Sequence, residues 1–238
     1  MTQKWTCLTY LHWPYDPAEV RKVLPPGLEP DLHDGVAWVG LVPFALSGLG
    51  FLGTPPVPWL SAFAETNVRT YTVGPDGRRG VWFCSLEAER LVAVLGARTA
   101  YRLPYTWAKM SIDRGPDDVV TYRSRRRWPA PRGAYSRISV AIGEPVQPTP
   151  LDLFLTARWG LHSRTPGGRL AFAAVEHLSW PLHGARLLDL DETLVAAAGL
   201  PAPSGAPRVL HSPGVAVRVG TPRLVPRPAG CRAPRASR

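Results

Sequence analysis

Phe63-Ala64-Glu65-Thr66-Asn67-Val68-Arg69-Thr70-Tyr71 (FAETNVRTY) is followed by Gly74-Pro75-Asp76-Gly77-Arg78-Arg79 and then by residues 80–86 (GVWFCSL). Two segments rich in β-branched and aromatic residues around turn chemistry predict an antiparallel hairpin. Side chains two apart on a strand share a face, so Glu65, Asn67, Arg69 and Tyr71 form one row. An acid, an amide, a guanidinium and a phenol are costly to bury together unless something polar sits against them. Glu65 and Arg69 stand about 13 Å apart along an extended strand, at roughly 3.3 Å per residue, too far for a direct ion pair. The row is therefore a candidate site.

The rest of the chain reads as more strands with few helices. Asp16-Pro17-Ala18-Glu19 supplies an N-cap, a first-turn proline and an acid at N3, predicting a short helix to about Leu24. Residues 35–44 read as a buried strand, and the Gly/Pro-rich stretch 47–58 as a loop forming a lip over a pocket. Residues 87–95 carry a helical pattern ended by Gly96, and 97–111 alternate as a strand past Pro104. Residues 119–127 and 134–142 form a further strand pair. Thr149-Pro150-Leu151-Asp152 opens a helix to about Trp159. Residues 169–179 read as a strand, 190–198 as a helix closed by Gly199, and 214–219 as the last strand. The sum is an α+β, mainly antiparallel β fold with a curved sheet or barrel.

The chain has 238 residues, 45% of them hydrophobic, with nine tryptophans, enough for one well-cored domain. That domain is expected over residues 1–225, with 226–238 a disordered basic tail. No apolar run of about eighteen residues occurs, so no membrane span is expected and a cytoplasmic location is the default. Cys7, Cys84 and Cys231 lack a CxxC spacing, which argues against a disulfide framework and a cysteine-bound zinc. The net charge of +10 suggests nucleic acid, but much of it sits in the tail and in Arg123, Arg125, Arg126 and Arg127. That short cluster, with Tyr122 and Trp128 beside it, reads better as a charged strand edge than as a single-strand binder. No HExxH, GxSxG or phosphate-cradling glycine loop is present, so neither a metal nor a cofactor is expected.

Four stretches carry a family resemblance: His12-Trp13-Pro14 with Asp16-Pro17, residues 35–44 (GVAWVGLVPF), residues 65–71 (ETNVRTY) with 80–86 (GVWFCSL), and residues 101–110 (YRLPYTWAKM). In them, and over about residues 1–225, the chain resembles the YqjF-like family, domain of unknown function 2071, of the acetoacetate decarboxylase-like superfamily. The resemblance implies an acetoacetate decarboxylase-like, cone-shaped β-barrel with an interior pocket and a few short helices. In acetoacetate decarboxylases a pocket lysine forms a Schiff base with a keto acid; relatives perform aldol-type condensation and dehydration.

Glu65 falls in the region where decarboxylases carry a pocket glutamate. Lys109 is the one candidate imine former, since Lys4 precedes the first strand and Lys22 lies on the first helix. Alternation aligns Lys109 with Tyr105 and Trp107, while Met110 stands where decarboxylases have a second lysine. Arg69 suits a bidentate hold on a carboxylate, with Arg98 and Arg102 as rivals. The expected catalytic groups are thus Glu65 and Lys109; the expected substrate-binding groups are Asn67, Arg69, Tyr71, Tyr105, Trp107 and Arg102. The function expected is binding of an organic acid or carbonyl compound, either with lyase-type decarboxylase or aldolase chemistry or as a non-catalytic binding or sensing module. The oligomeric state is left open.

Overall fold

The computed structural model describes residues 1–50 and 61–226. In chain order the elements are β1 (Thr2–Tyr15), α1 (Pro17–Val23), β2 (Glu29–Pro30), β3 (Ala37–Gly50), β4 (Phe63–Val73), β5 (Arg79–Ala88), α2 (Leu91–Ala100), β6 (Tyr105–Arg114), β7 (Val119–Trp128), β8 (Tyr135–Pro145), α3 (Pro150–Thr156), β9 (Gly160–Arg164), β10 (Leu170–His177), β11 (His183–Glu192), α4 (Leu194–Ala197), β12 (Arg208–Val219) and β13 (Arg223–Leu224). The pairing is antiparallel except where β5 runs parallel to β6 and to β9. The fold is the mainly antiparallel, few-helix architecture expected from the sequence.

Strand pairings close on themselves twice. Both rings contain β12, β1, β3, β4 and β5. The smaller closes through β9 and β10, the larger through β6, β7, β8 and β11. The split occurs within single strands. Val81 and Trp82 of β5 pair with β9, whereas Leu86, Glu87 and Ala88 pair with β6. β12 divides likewise, pairing with β11 near its start and with β10 near its end.

A shared strand has an interior on each side. β4 is accordingly buried from Phe63 through Thr72, and β1 from Cys7 through Trp13. Val68, Leu41 and Leu11 pack with Val120, Ile138 and Val140 in the larger ring. On the opposite face Tyr71, Phe83 and Leu86 pack with Leu155, Leu161 and Val175 in the smaller ring. These strands are buried on both faces, as in doubly covered sheets, even though β4 carries polar side chains.

Several boundaries depart from the sequence reading. Residues 47–50 belong to β3, so that part of the expected loop is strand; its remainder, like nearly all of the basic tail, falls outside the described residues. Lys4 lies within β1 rather than before it. The helical pattern at 87–95 begins as strand: β5 runs to Ala88, and α2 continues through Gly96. Glu87 has a strand partner for its charge, since Arg126 Nε and Nη2 donate to its two carboxylate oxygens at 3.0 and 2.5 Å and the Thr106 hydroxyl donates to it as well. Both members of that ion pair are buried. The Arg cluster on β7 therefore alternates, with Arg123 and Arg125 outside and Arg126 inside. Residues 183–192, partly read as helix, form β11 against β8.

Gly40 shows how tightly the shared wall is built. It pairs with His12 on one side and Arg69 on the other, and a Cβ there would sit 2.7 Å from His12 Nε2. Gly40→Ala is expected to lower stability by about 1–3 kcal/mol through overpacking, read from a urea midpoint; a wild-type midpoint would show that the wall relaxes instead. Arg126→Met should cost about 3–5 kcal/mol, because it strands a buried carboxylate, while Glu87→Leu with Arg126→Met should recover most of that loss. Equal losses in the single and double variants would contradict this account.

Candidate functional site

The polar row of β4 faces the smaller ring. Its neighbours across the sheet set that face: Glu65 is opposite Phe44 and Asn67 opposite Val42, both in the apolar cluster on that side. A cavity of about 70 Å³ lies there. Glu65, Arg69, Tyr105 and Arg158 supply its ionisable lining, and His177 and Trp180 close another side.

Helix α3 delivers the acceptors that hold Arg69. Thr149 and Asp152 form a reciprocal capping box at its start. Asp152 is also fastened to β12 by Arg208, whose Nε and Nη2 donate at 2.5 and 2.7 Å. The helix ends at Thr156, leaving carbonyls of its last turn unsatisfied within the helix. Arg69 Nη2 donates to Leu155 O at 3.0 Å, and Arg158 Nε donates to Phe154 O at 2.7 Å. A cation at a helix C-terminus is favoured by the exposed carbonyl dipoles.

Tyr71 links this end to β1. Its hydroxyl donates to Leu155 O at 2.6 Å, leaving its oxygen to accept from His12 Nε2 at 2.6 Å and from Arg69 Nη2 at 3.4 Å. That order of donation gives His12 the Nε2–H tautomer. Burial, reinforced by Arg69, holds His12 well below the ordinary imidazole range, so the ring is neutral.

Charge in the cavity is unbalanced. Arg158 Nη1 donates to Asp31 Oδ2 at 2.5 Å, but Asp31 also receives Arg79 Nε and Nη2 at 2.7 and 2.9 Å. One carboxylate thus serves two guanidinium groups. Among the described residues none of the ion pairs involves Arg69. Its Nε, and Arg158 Nη2, are buried without a hydrogen-bond partner. Glu65 does not compensate them: burial pushes its carboxyl up to about 8, against the hydrogen bond from the Tyr105 hydroxyl at 3.1 Å, which pulls it down. At neutral pH Glu65 is predominantly an uncharged acid.

The expected residues separate into those at the cavity and those away from it. Glu65, Arg69 and Tyr105 line it; Tyr71 lies buried behind Arg69. Asn67 is buried in the same row, its Oδ1 unpartnered, but does not reach the cavity. Trp107 donates from Nε1 to Glu89 O at 3.2 Å and lies under Arg127, outside the cavity. Arg102 is exposed, and Arg98 Nη1 donates to Tyr105 O. The expectation for Lys109 is corrected: its side chain is exposed and absent from the cavity lining, so its amine lacks the desolvation an imine former needs. Arg158, His177 and Trp180 were not foreseen. Arg158 follows α3, His177 ends β10 and Trp180 lies between β10 and β11, where no alternation announces their direction.

Comparison with known proteins agrees with this fold. The profile of the DUF2071 family, described as an uncharacterized conserved protein, matches residues 2–216. The uncharacterized protein YqjF of Bacillus subtilis (strain 168) is 35% identical over 213 residues, covering 89% of this chain and 86% of that protein. Among solved structures, the enduracididine biosynthesis enzyme MppR complexed with pyruvate superposes with a TM-score of 0.65 at 15% identity, covering 94% of this chain and 89% of that one. Acetoacetate decarboxylase from Legionella pneumophila superposes with a TM-score of 0.65 at 12% identity, covering 95% and 88%. At those identities the likeness is one of fold. By profile and by sequence identity, the chain belongs to the DUF2071, YqjF-like family, on an acetoacetate decarboxylase-like fold.

Proposed function

We propose that the chain binds a small organic acid or carbonyl compound in the cavity of the smaller ring, with Arg69 holding the carboxylate and Glu65 donating a hydrogen bond as a neutral acid. The observation that carries this reading is the buried guanidinium of Arg69, which has only neutral acceptors, beside a carboxyl group that stays protonated. An anion would supply the missing charge and accept from Arg69 Nε and Arg158 Nη2. MppR, similar in fold, was crystallised with pyruvate and with the condensation product of pyruvate and imidazole 4-carboxaldehyde, which is consistent with this ligand class. With Lys109 exposed, chemistry in this cavity would be proton transfer through Glu65 rather than imine formation.

Arg69→Met should weaken binding of pyruvate, measured by calorimetry, by ~30-fold or more, the cost of removing one member of a buried charged pair. Lys109→Ala should leave it unchanged, and borohydride treatment with keto acids should leave Lys109 unmodified. A reduced adduct at Lys109 would overturn the reading.

Affinity for an anion should also fall as pH rises through about 8, where Glu65 becomes a second negative charge in the cavity. The same group ties stability to pH. Its folded value lies above its ordinary value of 4.5, so its contribution is complete below that value and is lost as pH rises toward about 8. Glu65→Gln should remove both dependences; a variant that keeps the binding transition would assign it to another group.

A further inference from the structure

We infer that the ligand is amphipathic, an acid whose apolar tail occupies a second chamber reached past Tyr105; the acid end rests on the Arg69 reading above. This chamber, of about 210 Å³, lies between α2 and the ends of β3 and β4 and is three times the size of the polar cavity. Met1, Gln3, Ala97, Tyr101 and Tyr105 line both spaces, so the two lie side by side across these residues.

The two ends differ in chemistry. The polar cavity holds Glu65, Arg69 and Arg158, whereas the chamber is walled by Leu46, Leu49, Phe63, Val92 and Ala93 and, among the described residues, carries no ionisable side chain beyond Tyr101 and Tyr105. Tyr105 marks the boundary. Its hydroxyl is spent on Glu65, and its ring packs with the apolar cluster containing Leu46 and Phe63. At the throat Gln3 is likewise engaged, its Oε1 accepting from Trp5 Nε1 at 2.6 Å. With the Tyr105 hydroxyl and the Gln3 carbonyl so engaged, the passage favours methylenes or an aromatic ring over a hydrated group.

Gly96, exposed on α2, lies at the rim of the chamber, and a Cβ there would meet nothing within 4 Å among the described residues. An acid bearing a hydrocarbon chain fits both spaces at once.

The test is calorimetric binding of straight-chain 2-oxo acids, from pyruvate to 2-oxooctanoate, to the full chain. Affinity should rise by about fourfold for each methylene added until the chamber is filled. Gly96→Phe should abolish that rise while leaving pyruvate binding intact. Equal affinity along the series would overturn the chamber assignment and leave the Arg69 reading standing. Straight-chain alcohols binding as well as the acids, with the same gradient, would overturn the acid end and with it the amphipathic ligand. A gradient surviving in a folded Gly96→Phe protein would place the tail elsewhere and overturn the proposal.

Discussion

The structure depends on a wall that has no outside. β12, β1, β3, β4 and β5 each belong to both rings, so a polar side chain between Cys7 and Trp13 of β1 or between Phe63 and Thr72 of β4 has no route to solvent on either face. Each must find a partner in one interior or the other, or remain unpaired at a cost of about 1–3 kcal/mol. On the larger-ring side the ionisable groups form closed sets, Thr9 with Tyr122 and His211 and Glu87 with Arg126 and Thr106, and only the neutral hydroxyls of Ser85, Ser124 and Ser136 stay unpaired among the described residues. On the smaller-ring side it is met only in part. His12 Nε2, the Tyr71 hydroxyl and Leu155 O pair around Arg69, yet the guanidinium keeps an unpaired N–H and His12 Nδ1 has no partner.

That asymmetry separates structure from site. The Glu87–Arg126 pair is complete in charge and geometry and leaves nothing for a ligand to do. Arg69 and Glu65 share a strand face and a cavity but do not neutralise each other, because strand spacing keeps them apart and burial leaves the acid protonated. Asp31 could have balanced the excess, but Arg79 and Arg158 already share it. The smaller ring is therefore electropositive by construction, with Arg69 fixed by the Leu155 carbonyl rather than by a carboxylate and Arg158 left to share Asp31 with Arg79.

The row on β4 was legible in the sequence because alternation is local and β4 keeps one environment along its length. Lys109 was misread for the opposite reason. Alternation does align it with Tyr105 and Trp107, but β6 pairs with β5 only at Tyr105, Thr106 and Trp107 and then leaves with β7. The face that is interior at Tyr105 is solvent by Lys109, and nothing in the spacing marks where a sheet divides. Glu87 was hidden similarly: its surroundings resemble a helix start, and the partner that makes it a strand residue lies 39 positions away. Arg158 follows a helix end, where direction is set by Asp31 and the α3 carbonyls rather than by period.

A cavity with unpaired N–H groups and a protonated acid makes the empty protein less stable than its fold allows. Filling it with apolar side chains would relieve that cost and remove the site, the usual exchange between stability and function. A ligand relieves the same cost reversibly, since whatever binds the folded state alone stabilises it in proportion to its concentration over Kd. The residues hardest to justify as architecture, Arg69 and Glu65, are thus the ones a ligand would justify. The shared wall makes their burial unavoidable, and α3 holds Arg69 in place without cancelling its charge.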